Sequence, residues 1–141
     1  MQMQTNVTPD AVPTKDYKLG DTVTWKSHAA GITTSKIGTV VAVIPPEGNM
    51  YNGSCLTKTF LVKLLRECRG ITRDEARKYV DSQTYYSHWK TDLVAQKYKM
   101  KFSFQEGTYR DGFHYLIEVD RGSTLKPLLY HPNTKNLSFA D

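Results

Sequence analysis

The side chains able to do chemistry in this chain are cations, hydroxyls and aromatics. Ser27 to Lys36 is a run of small and hydroxyl residues with Ser27, Thr33, Thr34 and Ser35, Gly31 at its centre and Lys36 at its end. As a loop, it would offer backbone N–H groups unobstructed by large side chains, a cradle for phosphate oxygens. It is not a P-loop, because the Gly-Lys-Ser/Thr sequence and the following helix are missing. The alternative is an ordinary solvated hairpin loop. Arg110-Asp111 precedes Gly112. Arg110 suits bidentate pairing with a phosphate, and Asp111 can accept from ribose hydroxyls. The same residues also suit a plain turn, since Asp-Gly is turn chemistry. Tyr85, Tyr86, His88 and Trp89 form an aromatic cluster on which a base could stack. Trp89 is expected in the core, with Tyr85 and His88 exposed. Arg66 and Arg69 lie on the polar side of a helix, within reach of a phosphate or simply solvated.

Catalysis finds little support. The sequence has no Gly-x-Ser-x-Gly, His-Glu-x-x-His or paired-carboxylate signature. His114 and Glu118 are four apart on one strand, but one His and one Glu do not define a reaction. Cys55 falls near a helix start, where a thiol pKa can drop, yet nothing places a base beside it. His28, His88, His114 and His131 are scattered and no Cys-x-x-Cys occurs, so no metal site is expected. A non-enzymatic protein without cofactor is the expectation. Cys55 and Cys68 are no disulfide framework. Cys68 is read as a buried free thiol, which favours a reducing, cytoplasmic compartment.

The elements that must position these residues fit one domain of 141 residues. Hydrophobic residues make up 39% of the chain, ordinary for a globular protein. The longest apolar run, Val40 to Ile44, is far short of the ~18 residues of a membrane span. The first sixteen residues lack the basic and apolar regions of a secretory signal. The net charge is +5, and its placement is informative. Residues 55–78 carry Lys58, Lys63, Arg66, Arg69, Arg73, Arg77 and Lys78 against Glu67, Asp74 and Glu75. A localised positive field of this kind attracts phosphates.

Residues 1–16 read as a flexible arm, and 17–141 as the folded domain. Val23 and Trp25 alternate with threonines as in a strand, and Ile37 to Ile44 is a second strand ended by Pro45-Pro46. The period then changes. Leu56, Phe60, Leu61, Leu64, Leu65 and Cys68 recur at helical spacing up to Gly70. Thr72 and Glu75 form a capping box for a second helix. Tyr86, Trp89, Leu93 and Val94 fit a third helix, after which Lys97 to Met100 can begin a strand. Period two returns at 101–104 and 113–119, with Leu128 to Tyr130 and Leu137 to Phe139 closing the chain. The pattern predicts an α+β protein: a small antiparallel barrel with two or three helices inserted over about 55–100, after the second strand.

The strand sequences Tyr17-x-Leu-Gly-Asp-x-Val-x-Trp, Lys36-x-Gly-x-Val-Val-x-Val and Tyr115-Leu-Ile-x-Val resemble a group of small bacterial and phage proteins with an SH3-like (Tudor- or KOW-like) barrel. The resemblance covers about residues 17–46 and 110–137. That group usually ends its late strand in Leu-Tyr-Trp-Pro, where this chain has Leu129-Tyr130-His131-Pro132. A helix-decorated barrel with Arg110-Asp111 before a strand also resembles the Thoeris anti-defence sponges of phages. That resemblance implies sequestration, without degradation, of an anionic nucleotide signal (a cyclic ADP-ribose isomer or cyclic oligonucleotide) in the host cytoplasm. The alternative is an SH3/Tudor-like nucleic-acid- or protein-binding module. The apolar stripe of the first helix suits either internal packing or a homo-oligomer. No membrane partner is expected.

Overall fold

The computed structural model describes residues 16–46, 48–49, 56–83, 89–102, 109–110 and 112–140, with 48–49 and 109–110 described in backbone only. In chain order come β1 (Thr22–Ala29), β2 (Ile32–Ile44), β3 (Gly48–Asn49), α1 (Lys58–Arg69), α2 (Arg73–Ser82) and α3 (Trp89–Lys97). There follow β4 (Lys99–Met100), β5 (Tyr109–Arg110), β6 (His114–Val119), β7 (Leu128–Tyr130), a 3₁₀ turn (Thr134–Asn136) and β8 (Ser138–Phe139). The α+β class is as expected; the helices follow β3, a two-residue strand that was not expected between the second strand and the first helix. The expected arm, except Asp16, lies outside the described residues.

The main sheet has six strands in the order β4-β7-β6-β2-β1-β8, and β3 pairs with β5 separately. The sheet is mixed, because β4 runs parallel to β7 while its other pairs are antiparallel. β4 and β8 form its two edges and do not pair, so the sheet is open where a closed antiparallel barrel was expected. The parallel pair follows from α3, which delivers the chain to the sheet edge as a crossover helix does.

β1 and β2 pair over eight positions, from Thr22↔Thr39 to Ala29↔Ile32. Ser27, Thr33, Thr34, Ser35 and Lys36 are therefore strand residues and not a loop. The connection is only Ala30-Gly31, with φ of 51° and 77°. Two positive φ values make the tight hairpin turn whose twist matches its strands. The hydroxyl-rich composition misled because threonine suits a strand as well as a loop.

β2 changes its facing partway. Val40 pairs with Ile117, but Ala42 pairs with Leu116, so Val41 is an extra residue at a bulge. The bulge divides the interior in two. Val40 joins Tyr17, Val23, Trp25, Tyr115, Ile117 and Leu137 on one face. Beyond the bulge, Ala42 and Ile44 join Leu116, Leu129 and the helices on the other. β6 is buried on both faces, which is why His-Tyr-Leu-Ile reads as a continuous run with little alternation.

α1 packs Phe60, Leu61, Leu64 and Leu65 inward and presents Lys63, Arg66 and Glu67 outward. Thr57 caps its start and Gly70, at φ 65°, ends it. Thr72 and Glu75 make the predicted capping box of α2. The α1 stripe, Cys68 apart, is buried inside the chain. Cys68 is exposed, contrary to expectation. It continues the helical spacing of the stripe but sits in the last turn, where the helix has passed the core.

Candidate functional site

α1 and α2 are joined by a short turn, and their outward faces form the walls of a groove of about 890 Å³. Lys58, Thr59, Val62, Lys63, Arg66 and Glu67 come from α1, Gly70 and Ile71 from the turn, and Arg73 and Arg77 from α2. Their spacing explains the alignment: on each helix, positions three and four apart share a face. Val62 is 9% exposed and Ile71 half-buried, which gives the groove an apolar floor.

Five cations and one carboxylate line the groove. Lys58 Nζ lies 2.6 Å from Asp81, and the lining carboxylate, Glu67, is held 2.6 Å from Lys97. Among the described residues, no carboxylate pairs with Lys63, Arg66, Arg73 or Arg77. Their mutual repulsion is tolerated because water screens exposed charges. It is relieved further when an anion enters. Guanidinium groups from two helices can grip phosphate oxygens bidentately, and the apolar floor suits a flat ring.

The sequence-predicted site residues divide sharply. Arg66 lines the groove. Arg69 does not; its guanidinium carbon sits 4.8 Å from the centre of the Tyr79 ring. Ser27, Gly31, Thr33, Thr34 and Lys36 belong to the β1–β2 hairpin and are not among the lining residues. The expected loop is instead a two-stranded hairpin, in which alternate N–H groups serve the ladder and the others face away from it. Lys36 Nζ instead stands 5.9 Å over the Tyr130 ring, and His28 Nδ1 and Thr33 Oγ1 are 2.9 Å apart. Arg110 pairs with Gly48 through its backbone; its side chain lies outside the described residues. Asp111, Tyr85, His88 and Cys55 also lie outside them.

Sequence reasoning missed Lys63, Arg73 and Arg77 as site residues. The charge excess over 55–78 pointed to them, but only the α1–α2 angle decides which cations converge. The His114–Glu118 pair is taken up structurally. His114 Nδ1 and His131 Nε2 are 2.8 Å apart, and Glu118 accepts a 2.6 Å hydrogen bond from Tyr98 Oη. Among the described residues, no group of three His, Cys, Asp or Glu is placed to hold a metal ion, and no helix is long and apolar enough to cross a membrane. Compared with family models, curated proteins and solved structures, the chain matches none.

Proposed function

We propose that this is a non-enzymatic binding protein that captures a phosphorylated nucleotide in the α1–α2 groove and holds it intact. The observation that carries the reading is the convergence of Lys63, Arg66, Arg73 and Arg77 on an apolar-floored groove whose one lining carboxylate is engaged by Lys97. The ligand classes to test first are cyclic ADP-ribose isomers and cyclic oligonucleotides. Sequestration of such a signal in the cytoplasm, as a phage counter-defence sponge would do, is the biological role that goes with this reading.

An SH3-like ancestry of the sheet belongs to the same proposal. Its support is the strand order β7-β6-β2-β1-β8, with a 3₁₀ turn before the last strand and that strand returning to pair with the first. A homo-oligomer is not needed for the groove, and the α1 stripe no longer argues for one.

Isothermal titration with each nucleotide, followed by heat release and chromatography, tests the proposal. The expected result is saturable uptake and recovery of unchanged ligand. Arg66→Glu with Arg73→Glu should weaken binding at least about tenfold, on the order of 1.4 kcal/mol. Absence of uptake, or a double variant that binds as the wild type does, would overturn it.

A second reading is favoured by the β1–β2 hairpin. Beyond Trp25↔Lys36 its strands have no third neighbour among the described residues and are largely exposed on both faces. No acidic residue occurs from Thr22 to Pro46. A bare two-stranded ribbon fits a duplex groove. Retention of labelled duplex DNA on a filter, lost in Lys26→Glu, would support it.

A further inference from the structure

The groove reaches the start of α1, where Lys58 and Thr59 line it. A second cavity, of about 740 Å³, opens there between the turn before β1, the end of β2 and the first residues of α3. Lys18, Lys58 and Lys90 line it, contributed by three segments far apart in sequence, and no carboxylate does. Leu19, 57% exposed, and Pro45 supply apolar surface at its rim. Lys58 and Thr59 line both cavities, so the two adjoin at the beginning of α1.

We infer that the two cavities form one track for an oligonucleotide chain rather than a site for a mononucleotide. This rests on the phosphate-binding reading of the first groove. α1 alone, at 12 residues, gives about 18 Å of track at ~1.5 Å per residue. A single phosphate engages one cation cluster. A ligand with several phosphates engages the arginines of α1 and α2 together with Lys18 and Lys90. The second engagement is then intramolecular and multiplies affinity through effective concentration.

Fluorescence anisotropy on the full chain with 5′-fluorescein thymidine oligonucleotides, a dinucleotide and an octanucleotide, tests this. The octanucleotide should bind at least about tenfold tighter, with a steeper loss in salt as more counterions are released. In Lys18→Glu/Lys90→Glu that ratio should fall toward one, and in Lys18→Gln/Lys90→Gln partway. Lys101→Glu/Lys135→Glu, with the same charge change away from both cavities, controls for net charge. Thermal unfolding of each variant shows that it is folded. Equal affinity for both lengths, a length gain that survives in the Lys18/Lys90 variants, or a control that loses the gain equally would each overturn the track. If neither oligonucleotide binds while a cyclic nucleotide is captured by titration, the track fails and the groove reading stands. If nothing binds in either assay, both fail.

Discussion

At the residue scale, positions dictated by backbone geometry and by burial make the sharpest expectations. Ala30 sits at φ 51°, where a Cβ is unfavourable, and is followed by Gly31 at 77°. Ala30→Asn would create the Asn-Gly pair that this turn prefers. It should raise stability by about 0.5–1 kcal/mol, read as a higher denaturation midpoint at unchanged slope. Tyr98 is buried, and desolvation first, then its bond to Glu118, pushes its hydroxyl pKa up. Because the folded-state pKa is raised, the stabilisation is complete below the ordinary tyrosine value of about 10. It is lost as pH climbs from there through the raised value. Tyr98→Phe should therefore cost about 1–2 kcal/mol at neutral pH and show less alkaline loss, as urea titrations across pH would reveal. His131 is tied to buried His114 and packs edge-on to Phe102 with 5.5 Å between ring centres.

At the element scale, two features set the architecture: the bulge in β2 and the approach of β2 to β6. A Cβ at Gly38 would stand 2.5 Å from the Glu118 carbonyl oxygen and 2.7 Å from Ile117 Cγ2. Gly38→Ala must push β2 away from β6, and a loss of about 1–3 kcal/mol is expected, measured by chemical denaturation. The helices were legible because amphipathic spacing, Gly70 and the Thr72–Glu75 box are local signals. β7 was legible too, although a three-residue strand carries little pattern, because Leu128 to Tyr130 follows a clear turn. The hairpin was not legible in full, since its outer half is polar on both faces and has no alternation to read. The bulge was also hidden: Val40-Val41-Ala42-Val43-Ile44 is apolar throughout, so no polar residue marks where the facing changes.

At the scale of the whole molecule, residues 55–78, which hold α1 and the start of α2, carry seven cations against three carboxylates in a chain of net charge +5. Phosphate binding through the four groove cations predicts a log–log salt slope of at most about −3 for a single strand, and of about −4 where Lys18 and Lys90 engage it as well. A flat response would show that the cations are merely solvated. Local features of the sequence determined the α+β class, the helices with their caps, the excess of charge over 55–78 and Arg66 as a candidate. Each depends on neighbours within a few positions, and that is the range over which spacing and capping act. Tertiary structure decided the rest. It left the sheet open, turned the hydroxyl-rich segment into a ribbon, exposed Cys68, and sent Arg69 to Tyr79 while bringing Arg73 and Arg77 to Arg66. It also gathered Lys18, Lys58 and Lys90 from three distant segments. Which charges share a concavity depends on how helices cross and where strands bend. Those are set by side chains packing between elements, and such contacts leave no periodic trace along the chain.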